Sequence, residues 1–215
     1  MTLAADYQGP EQGADRAVLL SPGAGADRKA PALVAVADAL EAVGIPSLRF
    51  DFPYRAAGRK APDRPPVLEA TTREAAAALA ERAGLAPDRV VLGGRSMGGR
   101  IASTVVSTPE DPAPALGLLL LGYPLHAAGR PERRRDDHFR RITVPVLFVS
   151  GTRDSMAPKP ALTRSAKKVT GAVTLHWLDT ADHGFRPLKR SGLTINEVLA
   201  DVAETSVTWI QALGD

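Results

Sequence analysis

The chain has 215 residues, of which 44% are hydrophobic and 24% are charged, a composition typical of a globular protein with a sizeable core. Its 27 basic and 24 acidic residues leave a formal charge of +3, too small an excess to indicate a nucleic-acid-binding protein by itself. The absence of cysteine excludes disulfides, thiolate metal sites and a cysteine nucleophile, and fits a reducing compartment.

Seven short apolar runs predict β-strands. In chain order they are a weaker candidate at Leu3–Tyr7, then Ala17–Ser21, Ile45–Phe50, Arg89–Gly93, Leu116–Leu121, Val144–Ser150 and Val173–Leu178. Several of these runs are apolar throughout rather than alternating, which is typical of strands that are covered on both faces in a parallel sheet.

Helical patterns fill the intervals between the predicted strands. They cover Pro31–Val43, Pro66–Ala83, Gly98–Ser107, Pro160–Val169 and Leu193–Leu213. This alternation predicts an α/β fold with a mostly parallel central sheet and helices on both faces. Because ligands of such folds bind beyond the carboxyl ends of the strands, functional residues are expected directly after the strand candidates.

A Gly-x-Ser-x-Gly pentapeptide spans residues 94–98, between a predicted strand and a predicted helix. A nucleophilic serine at this place lies on a sharp, strained turn that exposes its hydroxyl, and the flanking glycines let the backbone fold without a clash. The pattern therefore predicts Ser96 as a catalytic nucleophile. The alternative is a glycine-rich turn that only packs tightly.

A serine hydroxyl needs a general base, and this type of fold orders its triad as serine, acid and histidine. His183 is favoured because it lies just beyond the strand that ends at Leu178 and precedes Gly184. His176 falls inside a strand candidate, and His138 falls in an arginine-rich loop with no strand before it, so both are weaker candidates.

Asp154 is the expected acid of the triad, because it follows the strand that ends at Ser150. Its task would be to hold the imidazole tautomer and to stabilise the imidazolium. A turn cap or a partner for Arg153 is the alternative role. Asp182 is adjacent to His183 in sequence, so it is expected to cap the turn rather than to join the triad.

Two backbone N–H groups are expected to form an oxyanion hole. One belongs to Met97, the residue after the nucleophile, and the other to the loop that follows the Ala17–Ser21 strand. In that loop Pro22 has no N–H, and of the next two residues Ala24 is preferred over Gly23. The alternative for this loop is a simple tight turn.

Six stretches of the chain resemble a known family. They are SPGAGADRKAP, LRFDFPYRAAGRKAPDRPP, LGGRSMGGRIAS, LGYPLHAAGRPE, VPVLFVSGTRD and DHGF. They resemble the α/β-hydrolase fold and, more narrowly, a small family that includes bacterial proteins and relatives of testis-expressed protein thirty and of the third subunit of the NSL chromatin complex. The resemblance implies a triad of Ser96, Asp154 and His183. Pro22 stands where relatives usually carry a histidine.

The predicted substrate site is open, because only about twenty residues separate Leu121 from Val144 and no substantial lid domain fits there. An open site favours small or exposed acyl groups. Five residues near strand ends are candidates for lining the substrate pocket: Gly23, Phe52, Tyr54, Arg95 and Tyr123. Packing is the alternative for the aromatic residues, and pairing with a loop acid is the alternative for Arg95.

The segment Arg130–Arg141 carries six arginines and three acids. We expect this segment to be a solvent-exposed loop with salt bridges between its own charges. Nucleic-acid binding is disfavoured, because acids interrupt the basic run and few aromatic residues are interleaved with it.

Together these features predict one domain over residues 1–215, a serine hydrolase that forms a covalent acyl-enzyme from small carboxylic esters, thioesters or amides. No metal and no organic cofactor is expected. A non-catalytic interaction module with the same fold is the alternative. The beginning of the chain lacks the basic start and apolar core of a signal peptide, and no apolar run reaches the about 20 residues of a membrane helix, so a cytoplasmic protein is expected.

Overall fold

The computed structural model describes residues 3–214. Seven strands of this part of the chain form one sheet: β1 (Ala5–Gln8), β2 (Ala17–Ser21), β3 (Ser47–Phe50), β4 (Val90–Arg95), β5 (Gly117–Leu121), β6 (Val146–Gly151) and β7 (Val173–Leu178). The α-helices are α1 (Pro31–Ala42), α2 (Pro53–Ala56), α3 (Pro65–Ala83), α4 (Met97–Val106), α5 (Lys159–Ala166) and α6 (Ile195–Gln211). Short 3₁₀ helices lie at Pro87–Arg89, Asp137–Arg141 and Lys189–Ser191.

The strands lie in the order β1-β3-β2-β4-β5-β6-β7. Strand β1 is antiparallel to β3, and every other neighbouring pair is parallel. All residues of β2, β3, β5 and β6 are buried. Burial on both faces explains why β2, β5 and β6 are near-continuous runs of apolar residues. The predicted α/β fold with a mostly parallel sheet is confirmed.

Helices cover both faces of the sheet. Along β2, Leu19 packs into a core formed with α3, α4 and α5, whereas Val18 and Leu20 pack into a second core formed with α1 and α6. The alternation follows from the period of two along a strand, which sends neighbouring side chains to opposite faces. The expectation of helices on both faces is also confirmed.

The bounds of the elements differ from prediction mainly where a proline or a cap intervenes. Strand β3 begins after Pro46 and β6 after Pro145, two residues later than predicted in each case. Helix α6 begins later than predicted because Thr194 and Glu197 form a capping box at its start. Helix α2 was not predicted, since a single turn leaves no periodic pattern.

Within residues 3–214, no helix is both long enough and apolar enough to cross a membrane.

No lid domain lies between β5 and β6. The segment 122–145 contains one 3₁₀ helix, whose Phe139 is fully buried with its ring centroid 5.1 Å from that of Tyr123 and 5.7 Å from that of Phe148. Beside it, the buried carboxylate of Asp136 accepts hydrogen bonds from Arg134 and Lys168, both at 3.1 Å. These contacts attach the segment to the core.

A core substitution tests the importance of the packed sheet. Leu119 is fully buried in the middle of β5. We expect Leu119→Ala to lower the free energy of unfolding by about 2–5 kcal/mol, since the truncated side chain leaves a cavity. Urea denaturation measures this change. The control Leu193→Ala removes a side chain that is 42% exposed and is expected to change stability by less than about 0.5 kcal/mol. Equal losses in the two variants would contradict the assignment of the core.

His138 is a half-buried titratable group in the same region. Its Nε2 lies 2.9 Å from the Oγ of Ser103 on α4. Burial, followed by the positive charges of Arg141 and Arg100, lowers the pKa of His138 from 6.5 to about 4. The folded protein therefore holds this imidazole in its neutral form.

This lowered pKa predicts a loss of stability in acid. Because the unfolded chain binds the proton of His138 more readily than the folded chain, stability present above pH 6.5 is lost as the pH falls toward 4. His138→Asn removes this titration, so the difference in unfolding free energy between pH 7 and pH 5 should be smaller in the variant than in the wild type. Urea denaturation at both pH values measures it, and identical pH dependences would contradict the prediction.

Candidate active site

Ser96 occupies a strained turn between β4 and α4. Its backbone has φ 50° and ψ −110°, which is unusual for a residue with a side chain. The turn lies directly against the end of β2: a Cβ added to Gly94 would lie 2.1 Å from the carbonyl oxygen of Ser21, and one added to Gly98 would lie 2.2 Å from it. Only glycine fits at these two positions, so the Gly-x-Ser-x-Gly pattern is explained by the close approach of two backbones.

The structure brings the side chains of Ser96, His183 and Asp154 together. The Oγ of Ser96 lies 2.9 Å from Nε2 of His183, and Nδ1 of His183 lies 2.7 Å from Oδ2 of Asp154. A carboxylate can only accept, so Nδ1 carries the proton and Nε2 is left to accept from the serine hydroxyl. The other carboxylate oxygen of Asp154 accepts from the backbone N–H of Met156 at 2.8 Å, and the Asp154 side chain is fully buried.

The loops after β6 and β7 meet closely, which brings Asp154 to His183. A Cβ added to Gly151 would lie 2.2 Å from the carbonyl oxygen of Ala181, so glycine allows this contact. In the loop that carries His183, Oδ1 of Asp182 accepts two backbone N–H groups, the nearer from Gly184 at 2.7 Å. Asp182 thus caps the turn, and its side chain is directed to the backbone rather than to the imidazole.

The loop after β2 lies beside Ser96. Ala24 lines a cleft together with Ser96 and Met97. In the described part of the chain, neither the N–H of Ala24 nor that of Met97 donates to another protein group. Gly23 is buried behind the serine, where an added Cβ would lie 3.6 Å from the Cβ of Ser96, so Gly23 does not line the cleft as predicted.

A partly buried ion network holds this loop in place. The backbone N–H of Arg28 donates to Oδ1 of Asp51 at 2.7 Å, and its guanidinium pairs with Oδ2 of Asp51 and, at 3.0 Å, with Asp6. Closer to the serine, the N–H of Gly25 donates to the hydroxyl of Tyr54 at 3.0 Å. Charge-assisted contacts of this kind fix the loop before any ligand arrives.

The aromatic residues predicted to line the pocket do not do so. Phe52, Tyr54 and Tyr123 are all buried. The ring of Phe52 packs edge-on against that of Phe50 at 5.0 Å, and the hydroxyl of Tyr123 donates to the carbonyl oxygen of Arg135. The side chains that follow β3 and β5 pack into the hydrophobic core under the loops, so they do not reach the cleft.

Arg95 was also a candidate for the pocket, and it lies outside the cleft. Its guanidinium stacks over the ring of Phe185 at 4.4 Å and donates to the carbonyl oxygens of Leu121 and Gly122, both at 3.4 Å. Burial lowers the pKa of Arg95 to about 10, while the negative charge of Asp154 acts in the opposite direction. Arg95 is therefore a packed cation behind the serine.

The cleft above Ser96 has a volume of about 420 Å³ and opens to solvent. Besides Ala24, Ser96 and Met97, its walls include Pro62 before α3, Pro65 at the start of α3, Arg100 on α4, and Pro124 and Arg135 between β5 and β6. The sequence analysis did not identify Pro62, Pro65, Arg100 or Arg135 as residues of the cleft. Arg100 could have been found, because it lies one helical turn after Ser96 and so shares its side of α4.

The remaining histidines are engaged elsewhere. His176 pairs with Asp201 on α6 at 2.8 Å, and the Nδ1 of His126 lies 2.9 Å from the carbonyl oxygen of Ala127. Within residues 3–214, no group of three or more histidine and carboxylate side chains is placed to hold a metal ion. His183 is the histidine that contacts Ser96.

Comparison with solved structures shows the same fold in several hydrolases. The chain is similar to a dienelactone hydrolase from Anabaena variabilis, with a TM-score of 0.70 and 20% identity over 98% of this chain and 92% of the other. It is similar to the esterase domain of a Rhodothermus marinus protein, with a TM-score of 0.69 and 19% identity over 98% and 93%. It is also similar to an alpha-beta serine hydrolase homologue from Coxiella burnetii, with a TM-score of 0.67 and 17% identity over 95% of this chain and 89% of the other.

A family model described as an alpha/beta hydrolase domain matches residues 14–211. The match covers every helix and all strands except β1, including the turn at Ser96 and the loops that carry Asp154 and His183. The chain therefore belongs to the alpha/beta hydrolase domain family.

Proposed function

We propose that the protein is a serine hydrolase that cleaves small carboxylic esters, and that thioesters and amides are chemically related substrates. The observation that carries the proposal is the unbroken line of contacts from Ser96 through His183 to Asp154, which begins at an open cleft. The presence of an esterase domain among the proteins of similar fold supports it.

In the first half of the reaction, Nε2 of His183 takes the hydroxyl proton as Oγ of Ser96 attacks the carbonyl carbon of the ester. The negative charge that develops on the carbonyl oxygen is stabilised by the N–H groups of Ala24 and Met97. Asp154 stabilises the imidazolium. The C–O bond then breaks, the alcohol leaves with the proton from His183, and an acyl-enzyme remains on Ser96.

In the second half, a water molecule replaces the alcohol. His183 takes a proton from the water as its oxygen attacks the acyl carbon, and the same proton is returned to Oγ of Ser96 as the carboxylic acid departs. The catalyst is regenerated without a redox step, so the chemistry requires only side chains and backbone groups of this chain.

The shape of the cleft favours small acyl groups or those at the end of an exposed chain. A space of about 420 Å³ with no covering domain admits a substrate directly from solvent. We place the protein in the branch related to testis-expressed protein thirty and the NSL-complex subunit, as a single domain over residues 1–215, on the six sequence stretches that carry the resemblance.

Replacing the nucleophile tests the proposal. Ser96→Ala is expected to abolish p-nitrophenyl acetate hydrolysis above background and to abolish covalent labelling by a fluorophosphonate probe, because no oxygen remains to form the acyl-enzyme. Hydrolysis is followed by absorbance and labelling by intact-protein mass spectrometry.

Ser103→Ala is the matched control for this experiment. Ser103 is also 2.9 Å from a histidine nitrogen, that of His138, but it is fully buried in α4. This variant should keep both activity and labelling. Turnover that survives in Ser96→Ala would refute the proposal, and a wild type that neither hydrolyses esters nor accepts the probe would favour the non-catalytic interaction module.

Replacing the acid tests the orientation of His183. Asp154→Asn is expected to lower kcat for p-nitrophenyl acetate by about 10⁴-fold, because an amide does not stabilise the imidazolium and favours the wrong tautomer. Steady-state kinetics measure the loss. Asp179→Asn removes an exposed carboxylate near the same loops and should leave kcat within a factor of two or so of the wild type. Equal activities of the two variants would contradict the role of Asp154.

A further inference from the structure

Two arginines line the cleft above Ser96 without an acidic partner. Arg100 lies on α4, one turn after the serine, and Arg135 comes from the segment between β5 and β6. The Nε of Arg100 is buried and makes no hydrogen bond. Within residues 3–214, neither guanidinium forms an ion pair with a carboxylate. Burial of the Arg100 Nε without a hydrogen bond is unfavourable, since this N–H has lost its contact with water and gained no other partner.

The two cations also act on each other. The pKa of Arg100 is lowered, first by burial and then by the positive charge of Arg135. Both charges also lower the pKa of the buried hydroxyl of Tyr123, against the larger effect of burial, which raises it. An anion between the two guanidinium groups would relieve both the repulsion and the missing hydrogen bonds.

Among the described residues that line the cleft, Asp63 is the one carboxylate, and it does not serve as this anion. Asp63 is held by other groups: Oδ2 accepts the backbone N–H of Tyr54 at 2.9 Å, and Oδ1 accepts the guanidinium of Arg59 at 2.6 Å. Both oxygens of Asp63 are thereby engaged outside the arginine pair.

Neighbouring arginines of the same segment are engaged with the protein as well. Arg134 pairs with Asp136 at 3.1 Å, and Nε of Arg141 donates to the carbonyl oxygen of Ser107 at 2.8 Å. Arg135 differs from Arg134 and Arg141 in lining the cleft.

The backbone of Arg135 is held from both sides. Its N–H donates to the carbonyl oxygen of Leu125 at 2.8 Å, and its own carbonyl oxygen accepts from the hydroxyl of Tyr123. Because Tyr123 is fully buried, the position of Arg135 is fixed by the core before a ligand binds.

We propose that Arg100 and Arg135 bind an anionic group of the substrate, so that the enzyme prefers esters that carry a carboxylate in their acyl or alcohol part. The inference rests on the proposed function, because it places the reactive carbonyl at Ser96. The two guanidinium groups would each donate hydrogen bonds to the carboxylate of the substrate. Their distance from Ser96 would then determine how far that carboxylate can lie from the ester carbonyl.

Hydrolysis of two esters that differ by one methyl group tests the preference. Monomethyl glutarate carries a free carboxylate, whereas dimethyl glutarate does not, and methanol release reports turnover of either. The wild type is expected to show a higher kcat/KM for the monoester. Arg135→Gln should lower the monoester-to-diester ratio of kcat/KM by about 10- to 100-fold, since it removes a charge-assisted hydrogen bond. Arg100→Gln is a second variant with the same expected direction.

Arg133→Gln is the matched control. Arg133 is exposed, lies two residues from Arg135 and loses the same charge on substitution. It should leave the monoester-to-diester ratio unchanged, which separates a local contact from a general effect of net charge. If Arg135→Gln and Arg100→Gln both keep the wild-type ratio, the anion site is refuted.

A binding measurement keeps this proposal separate from the proposed function. If the wild type hydrolyses neither of these esters nor p-nitrophenyl acetate, the hydrolase proposal fails, and calorimetric titration of Ser96→Ala with monomethyl glutarate still reports the anion site. Binding that falls about 10-fold or more when Arg135→Gln is added supports the site. Equal binding of monomethyl and dimethyl glutarate overturns it.

Discussion

The approach of the turn at Ser96 to the end of β2 is the constraint on which the site depends. Gly94 and Gly98 place their backbones where an added Cβ would lie about 2 Å from the carbonyl oxygen of Ser21. This contact holds the serine at a positive φ and, in the same step, brings the loop after β2 beside it. Ala24 and Met97 therefore both line the cleft beside Ser96.

Much of the fold could be predicted because its physical causes are local. Strands covered on both faces are rich in apolar residues, so their sequences stand out. Helices α1 and α3 begin at prolines and are followed by glycines, which marks their ends. The rule that functional residues follow strand ends located Ser96 after β4, Asp154 after β6 and His183 after β7, and the structure places these side chains in contact. Their catalytic roles stay predictions.

What escaped prediction depends on direction and on distant contacts. Position after a strand does not say whether a side chain points into the cleft or under the sheet, so Phe52 and Tyr123 were assigned to the wrong side. Helical periodicity alone could have placed Arg100 on the same side of α4 as Ser96. Arg135 could not be found in this way. Its position depends on a hydrogen bond from the hydroxyl of Tyr123, twelve residues earlier in the chain, and Tyr123 itself packs against the ring of Phe139.

The segment between β5 and β6 has a further consequence for the rate of turnover. Phe139 and the carboxylate of Asp136 attach it to the core, so this wall of the cleft is held by packing and by ion pairs. Enzymes that close a lid over the substrate often spend most of the catalytic cycle waiting for it to reopen. For the proposed hydrolysis, a cleft without a lid predicts that the acid and the alcohol leave by diffusion and that the bond changes at Ser96 limit the rate.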